Sequence, residues 1–308
     1  MKNSGYHHPV LLRESVELLI NDKSGIYVDV TFGGGGHSRE VLSKLGENGK
    51  LIAFDRDEDA LENTIEDGRF QLVHSDFRYL KNQLRFLGIR QVDGVLADLG
   101  VSSHQFDVPE RGFSIREEGK LDMRMGKSTE LTAARVLNNY PEEKLTRIFK
   151  EFGELTNAKR VAQVILAERS MGKIKTTKQL IDLVGPLFPE RKRMQHLARL
   201  FQAVRIEVND EMGSLRELLG QTAEVIRPAG RLLVISYHSL EDRMVKRFMR
   251  AGNEKGEVEK DFFGNPLRPF TPMHGMPLTP SKEEVEKNNR ARSAKLRVAI
   301  RNEESEPK

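Results

Sequence analysis

Along the first hundred positions, apolar residues follow two alternating rhythms. Short β-rich runs occupy residues 26–30 ("IYVDV") and 50–55 ("KLIAFD"), and residues 70–76 ("FQLVHSD") and 92–100 ("VDGVLADLG") continue the series. Between them the spacing becomes helical, with Val41, Leu42 and Leu45 after the first run and Leu80, Leu84 and Leu87 before the fourth. Strands alternating with helices in this way predict βαβ units and a parallel sheet.

After about Arg111 the rhythm changes, and no strand-like run appears until "RLLVIS" at 231–236. Helical stripes fill the interval. Pro141 reads as a first-turn residue before Leu145, Ile148, Phe149 and Phe152, with Gly153 as the stop. Val161, Val164 and Ile165 repeat the spacing up to Gly172, and Leu197, Leu200, Phe201 and Val204 form another stripe. A helix through Leu215, Leu218 and Val225 is expected to end at "RPAG", residues 227–230. The sheet then resumes, and "AKLRVAIR" at 294–301 alternates Leu296, Val298 and Ile300 against charges like a half-exposed strand. The pattern predicts a discontinuous α/β domain, 1–110 and 206–308, interrupted by a helical insertion, 111–205. Residues 252–282, rich in Gly, Pro and Phe, read as a long loop.

Composition narrows the chemistry. With 308 residues the chain can bury a large core, and with no cysteine it has no disulfide, thiolate metal site or cysteine nucleophile. No apolar run approaches the roughly 20 residues that cross a bilayer. The N-terminal stretch lacks a signal-peptide pattern, so a cytoplasmic protein is expected. The net charge is only +4, but residues 191–205 hold five Lys/Arg and no acid, and residues 287–301 hold six and none. Such local basic stretches point to a polyanionic partner.

The first strand runs into "YVDVTFGGGGHS", four glycines and a histidine at the start of a helix. Glycines there let a ligand approach the backbone and the helix N-terminus. No Gly-Lys-Ser/Thr follows, which argues against a P-loop. A dinucleotide fingerprint starting at Gly33 or Gly34 would meet Ser38 or Arg39 where its third glycine belongs. Asp55 ends the second strand, 22 residues after Gly33, where an acid accepts both hydroxyls of an adenosine ribose. After the third strand, Asp76 is placed to meet an adenine edge and Phe77 to pack on its face. Asp98 ends the fourth strand, at the sheet edge where open α/β folds bind ligands. "SYHS" at 236–239 offers Tyr237 and His238 as a second edge of the pocket. Three function classes fit these residues: a methyltransferase, an NAD-dependent oxidoreductase and a non-catalytic RNA-binding module.

Longer motifs separate them. "HHPVLL", "DVTFGGGGHSR", "FDRD", "ADLGVSSHQFD", "RGFS", "LDMRM", "RLFQAVRIEVNDEM", "SYHSLEDRMVK" and "RARSAKLRV" run from His7 to Val298. In these the chain resembles the RsmH (MraW) family of bacterial small-subunit ribosomal RNA cytosine methyltransferases. The resemblance implies a class I (Rossmann-like) methyltransferase sheet with an inserted all-helical domain for RNA recognition. It also implies S-adenosyl-L-methionine as cofactor and, as substrate, the 4-amino group of a cytosine in the decoding region, in RNA or in the assembled small subunit. Carried over by motif, the cofactor contacts are Gly35, Gly36, His37, Asp55, Phe77, Asp98 and Gln105, with Asp98 also the candidate catalytic acceptor. No metal is implied. The chain departs from the family pattern at His104, Gly126, Leu155-Thr156 and Asn289.

Overall fold

The computed structural model describes residues 9–127 and 129–303; His7 and His8 of the first motif lie outside them. The chain forms two compact units, one running up to Gly100 and resuming at Gly213, the other spanning Val101–Met212.

The first unit is built on β1 (Ile26–Asp29), β2 (Lys50–Asp55), β3 (Phe70–His74) and β4 (Val92–Asp98), with α1 (Leu12–Leu19), α2 (Gly36–Lys44) and α3 (Leu80–Phe86) between them. The second unit carries α4 (Ser103–Asp107), α5 (Ala133–Asn139), α6 (Glu142–Glu151), α7 (Ala158–Met171), α8 (Thr177–Val184) and α9 (Arg193–Asn209). Then α10 (Glu211–Val225) leads to β5 (Ile226–Ser236) and α11 (Ser239–Ala251). The chain finishes with β6 (Glu259–Lys260), β7 (Pro266–Leu267), β8 (Phe270–Pro272), α12 (Lys282–Lys287) and β9 (Lys295–Arg301).

Seven strands form one sheet in the order β3-β2-β1-β4-β5-β9-β8. Strands β1 to β5 are parallel, and β9 runs antiparallel between β5 and β8. The chain leaves β1 toward β2 and β3, then returns to β4 on the other side. This creates a switch point between β1 and β4, where a doubly wound sheet opens a crevice. The expected Rossmann-like class I sheet is the fold.

Its central strands are nearly continuous apolar runs because both faces are covered. Val28, Phe54, Val95 and Val234 meet α3, α10 and α11 through Leu84, Leu218 and Phe248. On the opposite face Tyr27, Leu51, Leu96 and Leu233 meet α1 and α2 through Leu19, Val41 and Leu42. The helical unit has its own core, where Leu145, Ile148 and Phe149 of α6 pack with Val161 and Ile165 of α7 and Leu200 and Val204 of α9.

Three features differ from the sequence reading. The helical unit extends beyond 111–205 on both sides. Phe113 and Leu121 belong to its core, and α9 continues to Asn209, whose side chain bonds the Met123 carbonyl at 2.7 Å and the Met125 N–H at 2.8 Å. The "RPAG" turn is absorbed into β5, which starts at Ile226 rather than 231. There the register slips between Val92 and Gly94, and Ala229 takes a φ of 62°, so the segment bulges out of the ladder. The stretch 252–282 is not structureless, since β6 and β7 pair as a hairpin and β8 completes the sheet edge.

Phe149 is fully buried in the helical core. Phe149→Ala is expected to cost about 3–5 kcal/mol there. Hydrogen exchange should quicken across α6, α7 and α9 while the amides of β1 and β4 keep their protection. Uniform acceleration in both units would show that they unfold as one.

Candidate functional site

Asp55 and Asp98, the strand-end acids singled out by the sequence, lie at the carboxyl edge of the parallel strands, where they close β2 and β4. Asp29 closes β1 at the same edge, and the register sets it beside Ala53 and Leu96.

The glycine turn is built from below. Asp29 is 1% exposed, and its carboxylate accepts from the Ser38 hydroxyl at 2.7 Å and the Thr31 N–H at 3.1 Å. The Thr31 hydroxyl in turn accepts from the Asp98 N–H at 2.7 Å. Gly35 sits at φ 75°, and a Cβ there would stand 2.7 Å from the Arg39 guanidinium and 2.9 Å from the Phe32 ring. A Cβ at Gly36 would overlap the Pro9 ring. Part of the answer to the glycine run is therefore internal: the chain itself crowds these positions. The rest lies at the mouth of the turn. Gly36 and His37 open α2, and first-turn N–H groups have no intrahelical partner.

Asp55 anchors the same turn from the next strand. Its Oδ2 accepts from the Gly33 N–H at 2.7 Å and its Oδ1 from the Asp57 N–H at 2.8 Å. A carboxylate offers about four acceptor positions, so roughly half of its capacity remains for a ligand diol. Burial pushes its pKa up to about 6, against the opposing pull of the two N–H donors.

Asp98 receives the Tyr237 hydroxyl at 2.8 Å, and the His37 Nδ1 stands 3.7 Å from its other oxygen. Its side chain is 22% exposed. Burial pushes its carboxyl up to about 6, opposed by the His37 charge and the Tyr237 hydrogen bond. Burial, and then Asp98, hold the Tyr237 hydroxyl well above its ordinary value. His37 Nε2 lies 3.2 Å from the Val10 carbonyl. A carbonyl only accepts, so that nitrogen carries the hydrogen and Nδ1 faces Asp98. His238 caps α11 and faces Glu241, with 3.1 Å between Nε2 and the carboxylate.

Phe77 follows β3, half-buried against the core on the α3 face, and Asp76 holds Arg56 at 3.0 Å and the Arg78 N–H at 2.9 Å. Gln105 belongs to the helical unit, where it completes the capping box of α4 with Ser102. The sequence reading had not separated out Asp29, Thr31, Ser38 or Pro9. An acid two residues before a Thr and four before a glycine run is the signal for the first of them.

Two acids with spare acceptor capacity, a glycine turn and free helix N–H groups suit a ligand with a vicinal diol and a positive charge. The MraW methylase family profile matches residues 4–302. The ribosomal RNA small subunit methyltransferase H of Christiangramia forsetii is 57% identical over 294 residues, 96% of this chain and 97% of that protein. The protein of the same name from Flavobacterium johnsoniae is 55% identical over the same shares, and one from Bacteroides fragilis 53%. Among solved structures, an rRNA methylase from Streptococcus thermophilus aligns over 93% of this chain and 91% of its own, with a TM-score of 0.40 and 13% identity.

The raised carboxyl of Asp98 has a consequence for stability. Its ordinary value is 3.8 and its folded value about 6, so ionising it in the fold costs stability. That cost is absent below about pH 4 and complete above about pH 6. Asn keeps an acceptor for Tyr237 and cannot ionise. Asp98→Asn is expected to gain on the order of 3 kcal/mol at pH 8 and little at pH 4. Denaturant unfolding at both pH values measures this; a variant no more stable at pH 8 contradicts the burial argument.

Proposed function

The chain belongs to the MraW methylase family, and from that premise we propose that it methylates the exocyclic 4-amino group of a cytosine in the decoding region of small-subunit ribosomal RNA, with S-adenosyl-L-methionine as donor. The observation that carries this reading is the pairing of Asp55 and Asp98 around the glycine turn. Asp55 has acceptor positions left for a ribose diol, and Asp98 presents a partly exposed carboxylate where a cation would lie.

When bound, the donor supplies a methyl group on a sulfonium sulfur that leaves as a neutral thioether. The chain's own part is to hold and orient. Asp55 takes the ribose hydroxyls, the turn at Gly35 and Gly36 admits the ligand to the helix N-terminus, and Phe77 packs on the adenine face. His37 steadies Asp98, and the motif containing Gln105 assigns it to the cofactor as well.

An aromatic amine is a weak nucleophile because its lone pair is shared with the ring. An acceptor bonded to its N–H localises that pair, and Asp98 fills this role. The methylated amine would carry a surplus proton, and Asp98 would be the group that accepts it. A carboxyl with its pKa near 6 is mostly ionised at neutral pH and basic enough to receive it. In-line transfer needs the two reacting atoms about 3–3.5 Å apart, which is a positioning task. The target base must leave its stack, so a single-stranded or distorted site is favoured. Arg191, Lys192 and Arg193 of the helical unit, and Arg290 and Arg292 before β9, are the proposed phosphate contacts. The reaction belongs to the cytoplasm, where ribosomes are made.

Two expected outcomes follow from the assignment. Asp55→Ala should weaken S-adenosylmethionine and S-adenosylhomocysteine alike by about 1.5–3 kcal/mol in calorimetry, the range for charged hydrogen bonds; unchanged affinity removes Asp55 from the site. In a strain lacking this gene, mass-spectrometric mapping of small-subunit RNA should show one cytosine short of a methyl on its 4-amino nitrogen, restored by the intact gene. An unchanged map, or a methyl missing from a ring carbon or a ribose, contradicts the proposed substrate.

A further inference from the structure

The hairpin of β6 and β7 lies outside the site described and presents an unusual surface. At its tip Phe262 is 97% exposed and Phe263 85%, and nothing in the core claims either ring. The two rings stand 5.6 Å apart at 87°, edge to face. Exposing two large apolar side chains beside each other runs against the usual composition of a surface and marks a contact.

The turn that carries them is prebuilt. The Asp261 carboxylate accepts from the Phe263 N–H at 2.9 Å, the Asn265 N–H at 2.8 Å and the Asn265 side-chain amide at 2.9 Å. The Asp261 N–H closes the loop on the Asn265 carbonyl at 2.9 Å. Rings held on an ordered turn lose less entropy when they are covered.

The surrounding charge selects the partner. Arg247, Arg250, Lys255, Lys260 and Arg268 surround the hairpin in sequence, and among the described residues none of the five is in an ion pair. Of the four acids in the same stretch, Glu254 pairs with Arg216 and Asp261 is committed to the turn, which leaves Glu257 and Glu259 against the five cations. Cations close in sequence to two bare aromatic rings match single-stranded nucleic acid, whose bases stack on rings while its phosphates meet Lys and Arg. A protein-binding patch of this kind would need more apolar area than Phe262, Phe263 and the half-exposed Leu267 offer.

We propose that the 259–267 hairpin is an RNA contact, in which Phe262 and Phe263 stack on unpaired bases of the ribosomal RNA. Phenylalanine has no polar atom to read a base edge, so the contact tolerates any base and holds the RNA rather than selecting it. The inference rests on the ribosomal RNA reading, and the measurement of cofactor affinity keeps the two apart.

The test compares the full-length protein with Phe262→Ala/Phe263→Ala and Phe262→Tyr/Phe263→Tyr. The probe is the small ribosomal subunit from cells lacking the gene. The alanine pair should weaken binding roughly 10- to 100-fold with an unchanged salt slope, because stacking is lost and no phosphate contact is. The tyrosine pair should bind like wild type, and S-adenosylmethionine affinity should be the same in all three. A benzophenone amino acid at position 263 should crosslink to ribosomal RNA. Binding within about two-fold of wild type for the alanine pair overturns the proposal. So does crosslinking to a ribosomal protein or to a second copy of the chain, or a tyrosine pair as weak as the alanine pair. Loss of subunit binding by the wild type itself, with cofactor affinity intact, sinks the ribosomal reading and the hairpin contact together.

Discussion

The site hangs on one buried carboxylate. Asp29 ends β1 beneath the glycine turn, nearly closed off from solvent, where an unpaired charge would be prohibitively costly. Its partners decide the geometry above it. The Ser38 hydroxyl fixes the first turn of α2, and the Thr31 N–H fixes the chain leaving the strand. Thr31 then reaches across to the Asp98 N–H, so β1, α2 and β4 meet in one hydrogen-bonded cluster. Asp55 ties β2 into the same cluster through Gly33. The glycines are the counterpart of this arrangement. Gly33 and Gly35 adopt positive φ, and Gly36 leaves room for the Pro9 ring.

Above that foundation the two strand-end acids, Asp55 and Asp98, are kept short of donors. Asp55 has two N–H partners and Asp98 has one hydroxyl, and burial raises both. A fold selected only for stability would pair such groups fully or replace them. Holding them under-satisfied leaves acceptor capacity for a ligand with hydroxyls and positive charge, at a cost to the empty fold. Tyr237 moderates the cost at Asp98, and Glu241 secures the Tyr237 N–H at 2.9 Å.

Much of this was legible in the chain. Unbroken apolar runs marked β1 to β4, and alternation marked β9, because strands covered on two faces and a strand with one more open face leave different patterns. Strand ends followed by Gly, Asp or Ser marked the carboxyl edge, and so Asp55 and Asp98. What stayed hidden depended on distance in sequence. Pro9 beside Gly36 and Tyr237 on Asp98 are contacts between remote segments that no local spacing announces. Tyr237 read only as an edge of the pocket, and its hydroxyl is committed to Asp98. The β5 bulge was masked by proline and glycine, which signal a helix stop equally well. The β6–β7 hairpin is too short for a periodic signal and emerged only through its pairing.

The central claim is that the cluster over Asp29 binds the adenosine end of a sulfonium donor rather than a dinucleotide. Calorimetric titration of the full-length protein with S-adenosylmethionine, S-adenosylhomocysteine and NAD tests it most directly. The account predicts saturable binding of the first two, with one molecule per chain, and none of NAD at the same concentrations. Saturable binding of NAD, with no heat from either sulfur compound, would contradict it.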